Sequence, residues 1–285
     1  DALNDSEIVN FAKSLNKDQE LGIFMEITPT LTKEAGVNYN QSPNWHYPKS
    51  VFLIGYENHD REKLIDASIN KFKSTFGYTP KSVGAWWIDA YSLNYLREKY
   101  NIEINLDVAD QYSTDLYQIW GQYFSSPFYP SKFNALMPAS SPDTKIGLVT
   151  IQWATRDPLN AYGSGVGDST YSVQANDYIL HDLQVDYFEK LLNIYPQTTV
   201  GLENDFSWND VGNEYQKQID LLAKLRSSGR FQIKNMGSYA AYYKNLYPGI
   251  SPSVLIVADD PLGSSSKVVW FQNSKYRVGW FYNSN

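Results

Sequence analysis

Short apolar runs, each bounded by polar residues, alternate with amphipathic stretches along the whole of this chain. Four of the runs carry acids or tryptophans toward their carboxyl ends, at 22–28, 83–89, 104–110 and 200–205. Apolar runs of this length predict buried strands. Folds with parallel strands build their sites at the carboxyl ends of those strands. The pattern therefore predicts an enzyme-like cleft at one end of a sheet.

The same pattern gives an order of elements. Helices are predicted at 6–16, 61–76, 89–100, 174–193, 212–227 and 238–246. Strands are predicted at 21–28, 51–56, 82–88, 102–109, 145–153, 198–204, 231–235 and 254–258, and a hairpin-like pair follows at 267–272 and 275–282. Ser6 and Asp89 are the predicted N-caps of their helices, and Gly77 is the predicted end of the helix before it.

About seven β/α units predict the α/β class and, within it, a distorted TIM-like (β/α)7–8 barrel. We expect one barrel domain over residues 1–285, because no linker rich in Pro, Gly or Ser divides the chain. A long aromatic segment at 111–142 follows the fourth strand of this barrel. A C-terminal hairpin at 266–285 is expected to pack on the barrel.

Composition narrows the choice of partners. The net charge of −7 and the pI near 5.0 argue against nucleic acid, since phosphate binding needs basic patches. No apolar stretch approaches the ~20 residues that span a bilayer, so no membrane span is predicted. Cysteine is absent and no phosphate loop or paired-histidine motif occurs, so neither a metal nor another cofactor is predicted. The many Tyr, Asn and Ser residues favour an extracellular or cell-surface setting.

Acids at the ends of the predicted strands are the candidate catalytic residues. If the bulky apolar side chains face the helices, then alternation points Glu26, Asp107 and Glu203 into the barrel interior. Asp110 and Asp205 then lie at the rim. Any single acid can be structural, but several uncompensated interior charges cost many kcal/mol unless they are paired or protonated. Shifted pKa values in such a cluster suit general acid/base catalysis.

Aromatic residues supply the second part of the predicted site. The chain has 23 Tyr, 8 Trp and 13 Phe, and flat rings at a cleft stack on the C–H faces of sugars while amides bind hydroxyl groups. The predicted substrate-binding residues are Trp86, Trp87, Gln111, Trp120, Gln152, Trp153 and Asn204. Alternation requires one of Trp86 and Trp87 to point inward. The alternative is that the rings form the small core of a long loop.

Residues 55–102 resemble polysaccharide deacetylases in their layout. The resemblance is carried by Gly55-Tyr-Glu-Asn-His59-Asp, by Phe76-Gly-Tyr-Thr-Pro-Lys81 before Val83-Gly-Ala-Trp-Trp, and by Leu93-Asn-Tyr-Leu-Arg97-Glu-Lys-Tyr100. It implies a distorted β/α barrel that acts on carbohydrate. The same superfamily includes glycoside hydrolases of families 38 and 57, of which the latter work with two carboxylates and no metal.

The chain departs from the deacetylases at their metal motifs. Those enzymes share an Asp-Asp pair at strand one and a His-x-x-x-His pair after strand two. Here strand one offers Glu26 alone, and the position four residues before His59 is Gly55. The Arg-containing motif after strand three is replaced by Trp86-Trp-Ile-Asp89.

Three hypotheses follow. The first is a carbohydrate-active hydrolase of glycans or polysaccharides that uses paired carboxylates, with Glu26, Asp107 or Asp110, and Glu203 or Asp205 as candidates. The second is a non-catalytic carbohydrate-binding or cell-envelope module derived from a deacetylase-like barrel. The third is a residual metal-dependent deacetylase.

Overall fold

The structure, a computed structural model, describes residues 1–44, 47–107, 126–152, 197, 199, 208–259 and 265–282. The chain forms two compact units, each assembled from separate stretches. The first comprises residues 1–107, 128–151 and 235–251, and the second comprises 108–127, 152–234 and 252–285. Contact units of this kind need not fold separately, so the single barrel domain stays a prediction.

The described chain contains nine strands and seven α-helices. The strands are β1 (Ile23–Phe24), β2 (Ser82–Ala85), β3 (Ile104–Asp107), β4 (Pro130–Ser131), β5 (Asn134–Pro138), β6 (Val149–Gln152), β7 (Val254–Asp259), β8 (Lys267–Gln272) and β9 (Arg277–Tyr282). The helices are α1 (Ser6–Ser14), α2 (Pro29–Ala35), α3 (Pro48–Val51), α4 (Asn58–Phe76), α5 (Ala90–Tyr100), α6 (Trp208–Ser227) and α7 (Met236–Leu246). Two short 3₁₀ turns lie at Ala2–Asn4 and Leu53–Gly55.

Helix ends follow local chemistry. Asp89 caps α5 as predicted, and Gly77 ends α4 in the left-handed conformation with φ of 84°. The predicted cap Ser6 is wrong by one residue, because the side chain of Asp5 accepts hydrogen bonds from the amides of Glu7 and Ile8. An aspartate carboxylate is the stronger acceptor for these two amides.

A parallel sheet with the order β1-β2-β3-β6 organises the first unit. Its register defines two faces, because residues in register on neighbouring parallel strands point the same way. Phe24, Gly84 and Leu106 share one face, which we call the Phe24 face. A Cβ atom built on Gly84 would lie 3.2 Å from the Cβ of Leu106, in agreement with this assignment.

The opposite face, here the helix face, carries the hydrophobic core. Met25, Val83 and Ala85 are buried there. Residues of α4 and α5 complete the same core cluster, namely Leu64, Ile65, Ile69, Leu93 and Leu96. Burial of this amphipathic stripe is the main source of stability for helices of this length.

The predicted strand at 51–56 is wrong. This segment contains the end of α3 and a 3₁₀ turn, which begin after Pro48, a residue suited to the first turn of a helix. The segment still borders the sheet, because the carbonyl of Val51 accepts a hydrogen bond of 2.9 Å from the amide of Ile27. Its apolar run reflects burial of Val51, Phe52 and Leu53 rather than strand pairing.

Other strands are shorter than predicted. The run 21–28 pairs only over β1. In the described part of the run 145–153, strand pairing is confined to β6 and an isolated bridge from Lys145 to Ser131. Residues 231–235 have no strand pairing, which contradicts the predicted strand. Within the aromatic segment 111–142, β4 and β5 form a two-stranded antiparallel pair. The predicted helix at 174–193 and nearly all of the strand at 198–204 lie outside the described residues.

In the second unit, β7, β8 and β9 form an antiparallel sheet of three strands. The predicted terminal hairpin is therefore confirmed, and β7 joins it as a third strand. The fold is thus a mixed α/β structure with a parallel and an antiparallel sheet, while closure into a barrel stays a prediction.

Candidate functional site

An aromatic pair lies on the Phe24 face near the carboxyl ends of β1 and β2. The rings of Phe24 and Trp86 meet edge to face, with centroids 6.4 Å apart and an interplanar angle of 83°. Phe24 is 46% exposed, which is unusual for a phenylalanine on a strand of a central sheet. Trp86 joins Phe24 on this face while Trp87 packs against the core, so the two adjacent tryptophans point to opposite sides of the sheet. That Trp86 points into a barrel stays a prediction.

Glu26 lies next to this pair on the same side of its strand. Met25 and Ile27 are buried in the core cluster, whereas Glu26 between them is partly exposed. Residues two apart on an extended chain point the same way, so Glu26 follows Phe24 onto the Phe24 face. The predicted orientation of the first strand is therefore correct for Glu26.

A cavity of about 320 Å³ borders Phe24 and Glu26. Gly22, Phe24 and Glu26 line it, together with Lys71 and Phe72 of α4. Most of the remaining wall is apolar, with Leu3, Ala12, Leu21, Ile23, Met25, Leu31 and Phe76. An apolar hollow with a few polar groups is the usual form of a small-molecule site.

The second acid on the cavity wall has a structural partner. Glu34 forms an ion pair with Lys71, and the hydrogen bond from Lys71 holds the pKa of Glu34 below its usual range. A carboxylate held ionised by a lysine is poorly suited to serve as a general acid near neutral pH. Asp1 also lines this wall, and among the three acids Glu26 is the one on the Phe24 face beside Trp86, which makes it the candidate catalytic acid.

Asp107 does not join Glu26. It is in register with Ala85, and Asn105 is in register with Val83, so both polar residues lie on the helix face. The prediction that Asp107 points the same way as Glu26 is wrong, because apolarity does not identify the outer face of β3. Both faces of this strand are buried, with Ile104, Asn105, Leu106 and Asp107 between 0 and 7% exposed.

Asp89 has a structural role, as predicted. Its carboxylate accepts hydrogen bonds from the Ser92 amide at 3.1 Å and the Ser92 hydroxyl at 2.6 Å. The Arg61 guanidinium lies 3.1 Å from the same carboxylate. This buried acid is thus committed to α5 and to the contact between α4 and α5.

A second charged group sits at the amino end of the sheet. Glu103, just before β3, pairs with Arg97 of α5 at 2.9 Å and with Lys244 of α7. Burial raises the pKa of Glu103, but the hydrogen bonds from Lys244 and Arg97 outweigh it, so the pKa lies below its usual range. Burial lowers the pKa of Lys244 by more than Glu103 raises it. The group ties both helices to β3 at the end away from Trp86.

The deacetylase metal position is sterically closed at Gly55. A Cβ atom at this residue would overlap the carbonyl of Lys49, so no side chain fits in this conformation. The Gly55 carbonyl also accepts a hydrogen bond of 2.6 Å from the Asn40 side chain, which holds the turn in place. His59 lies exposed in the first turn of α4. Within the described ranges, no group of three or more His, Asp or Glu side chains is placed to hold a metal ion.

The remaining predicted site residues cannot be placed. Asp110, Gln111, Trp120, Trp153, Glu203, Asn204 and Asp205 lie outside the described residues, as does the side chain of Gln152. Their roles stay predictions. Phe24 was not among the predicted site residues, although its place two residues before Glu26 was a sufficient signal.

A surface tryptophan follows directly after the stretch that contains Glu203 and Asp205. Trp208 begins α6, is 58% exposed, and lies edge to face with Tyr215 at 6.2 Å. Its ring lies so close to Gly212 that a Cβ atom there would come within 2.6 Å of it. One side of the indole is thus held against the helix.

Comparison with known proteins gives a family and a fold. The model of the family described as "Domain of Unknown Function with solved-structure structure (DUF3863)" matches residues 42–247. None of the curated proteins matches the chain. A crystal structure from Parabacteroides distasonis, provisionally described as a glycoside hydrolase/deacetylase, is similar with a TM-score of 0.69 and 17% identity. The similarity covers 99% of this chain and 68% of that one. At this identity the similarity shows a shared fold.

Proposed function

This chain belongs to the DUF3863 family, and on that premise we propose that it is a carbohydrate-active hydrolase whose cleft lies on the Phe24 face. The observation that carries the proposal is the exposed Phe24 ring, which meets the partly buried Trp86 beside Glu26. Rings of this kind stack on sugar faces, and a partly buried carboxylate next to them can act on a glycosidic bond. The provisional description of the similar P. distasonis structure is in line with this class of activity.

We propose Glu26 as one member of a carboxylate pair. Asp107 is left out, because it points to the helix face. Asp110, Glu203 and Asp205 stay the sequence-based candidates for the second carboxylate, since each lies at or just beyond the carboxyl end of a predicted strand. The distance between the two carboxyl groups would set the stereochemical outcome, at about 5 Å for retention and about 6.5–9.5 Å for inversion.

The test is a hydrolysis screen on neutral and acidic oligosaccharides with analysis of the products. For a cleaved substrate, Glu26→Gln is expected to reduce kcat at least a hundredfold, in the range of about 10²–10⁴ given for a general acid or base. Glu62→Gln is the matched control, because that carboxylate accepts a hydrogen bond from Tyr91 on the helix side. Full activity of Glu26→Gln would exclude Glu26 from the chemistry.

A binding module is the second candidate. The closed metal position at Gly55 favours it, because it removes one catalytic option of the resembling enzymes. Phe24→Ala distinguishes the hydrolase from the binding module. In a hydrolase the variant has a lower kcat/KM. In a module the variant has a lower affinity for glycan, and the wild type itself yields no product. Binding on a glycan array without turnover of any bound ligand would support the module.

The proposed place of action is outside the cell or at its surface, where polymeric glycans are accessible. The composition and acidic charge agree with this setting. No helix in the described part of the chain is long and apolar enough to cross a membrane. Detection of the protein in the culture medium or on intact cells would test the location.

A further inference from the structure

The antiparallel sheet of the second unit has an exposed apolar face. Register places nine residues on this face, which we call the outer sheet face: Leu255, Val257, Asp259, Lys267, Val269, Phe271, Val278, Trp280 and Tyr282. Leu255, Val257 and Trp280 are 63–64% exposed, and Val278 and Tyr282 are 51% and 50% exposed. Solitary exposed apolar residues are ordinary, but a contiguous patch on three strands marks an interaction surface.

The other face of the same sheet already has a covering. Ile256, Ala258, Trp270 and Gln272 alternate with the outer residues, and each is between 0 and 6% exposed. The sheet therefore has two apolar faces, of which one is buried. A strand with one buried face ordinarily places polar residues on the other. The outer positions of β7 and β9 break this rule everywhere except at Asp259.

Charge on the outer sheet face is confined to one corner. Asp259 and Lys267 are in register and form an ion pair of 2.8 Å, so they neutralise each other. The seven other residues of the face are uncharged. A partner therefore needs no complementary charge, and a phosphate-rich or anionic surface finds no cationic cluster here.

We propose that the outer sheet face is the interface between two copies of this chain. Two such faces would pack as the sheets of a sandwich do, with mean strand directions within about 30° and side chains interdigitating. With about 80–100 Å² from each of the five most exposed side chains, the face presents roughly 400–500 Å² per copy. Two copies then bury about 800–1,000 Å², which is the size of a weak interface rather than of a permanent one.

A second copy fits this face better than a glycan. Leu255, Val257, Val269 and Val278 are aliphatic, and aliphatic side chains pack on one another but offer a sugar no stacking surface. Of the three outer aromatic rings, Trp280 and Tyr282 are on β9, at one edge of the sheet, and Phe271 on β8 is only partly exposed. A twofold axis between the two sheets and parallel to the central strand would place the β9 rings of each copy over the β7 aliphatic residues of the other.

The test is the solution mass of the chain, measured by sedimentation up to about 100 µM, where an interface of this size should be populated. The wild type is expected to dimerise. Val257→Lys and Trp280→Lys each place a charge in the apolar face and should weaken the dimer at least tenfold. Ile233→Lys is the matched control, since Ile233 is 57% exposed outside the sheet. Circular dichroism checks that each variant is folded.

Cysteine cross-linking gives an independent measurement, because the chain has no cysteine of its own. Val269 lies in the middle of β8, the central strand, so a bismaleimide that spans about 10 Å, the usual separation of packed sheets, should cross-link Val269→Cys into a covalent dimer, whereas Ile233→Cys should stay monomeric. A monomeric wild type would overturn the proposal. So would a dimer that both lysine variants leave intact, since it would point to pairing through strand edges. Binding of a neutral oligosaccharide such as cellohexaose that Trp280→Lys abolishes, with no dimer, would assign the face to glycan instead.

Discussion

Asp89 offers the sharpest test of a structural assignment, because its carboxylate serves α5 and α4 at once. Replacing it by alanine removes the N-cap of α5, a loss of about 1 kcal/mol. It also removes the hydrogen bond from the Ser92 hydroxyl, where a bond to a charged acceptor contributes about 1.5 kcal/mol. Arg61 loses its carboxylate but keeps the carbonyls of Tyr56 and Ile54. Its loss is therefore about 1 kcal/mol rather than the 3–5 kcal/mol of an isolated buried charge.

We expect Asp89→Ala to lower the free energy of unfolding by about 3–4 kcal/mol, which corresponds to a fall in Tm of roughly 10 °C for a chain of this size. Asp89→Asn keeps an acceptor for the Ser92 amide and should lose about half as much. Asp60→Ala is the control, because the Asp60–Lys63 pair is exposed and its removal should change stability by less than about 0.5 kcal/mol. Thermal unfolding followed by circular dichroism measures all three variants.

The reasoning would be refuted if Asp89→Ala unfolded within 2 °C of the Asp60→Ala control. A catalytic role would show differently: folded Asp89→Asn would lose turnover on any substrate that the wild type cleaves. We expect its kcat to be unchanged, because the carboxylate is enclosed by its partners on α4 and α5.

Three further predictions test the remaining assignments. The lowered pKa of Glu103 stabilises the fold above the unfolded-state pKa of about 4.3, and this stabilisation is lost as the pH falls through the folded-state pKa. Glu103→Gln should therefore flatten the dependence of the unfolding free energy on pH in that window, and an unchanged dependence would contradict the assignment. Gly55→Ala should destabilise the protein by more than the ~1 kcal/mol of an ordinary surface change, because its methyl group meets the Lys49 carbonyl; a neutral effect in urea unfolding would show that the turn can open. Gly212→Ala should displace the exposed Trp208 ring and shift its fluorescence while helix propensity gains up to ~1 kcal/mol; an unshifted spectrum would place the ring elsewhere.

Much of the fold could be predicted from local patterns. The helix at 89–100 and the end of α4 are confirmed to within one residue, because an aspartate cap and a left-handed glycine act on their immediate neighbours. The strand at 51–56 could not be separated from a helix, since Val51 to Leu53 are buried whichever form they take. Pro48, at the first position of α3, is the residue that favours a helix over a strand here.

The site residues were predicted correctly only where local burial distinguishes the two faces of a strand. Glu26 was placed correctly because its strand lies at a described edge of the sheet, so one face meets the core and the other is partly open. Asp107 was placed wrongly because β3 lies between β2 and β6 with both faces buried, and burial then gives no contrast between Leu106 and its neighbours. The outer sheet face was equally hidden, since alternating apolar residues predict a strand but do not reveal which face stays uncovered.

The sequence by itself determined the end of α4, the extent of α5 and the pair of strands β8 and β9, because capping and hydrophobic periodicity act over a few residues. Only the tertiary structure decided which acid stands beside Phe24 and Trp86. That outcome depends on strand register, a contact between distant parts of the chain, and a shift of one residue turns every side chain to the opposite face.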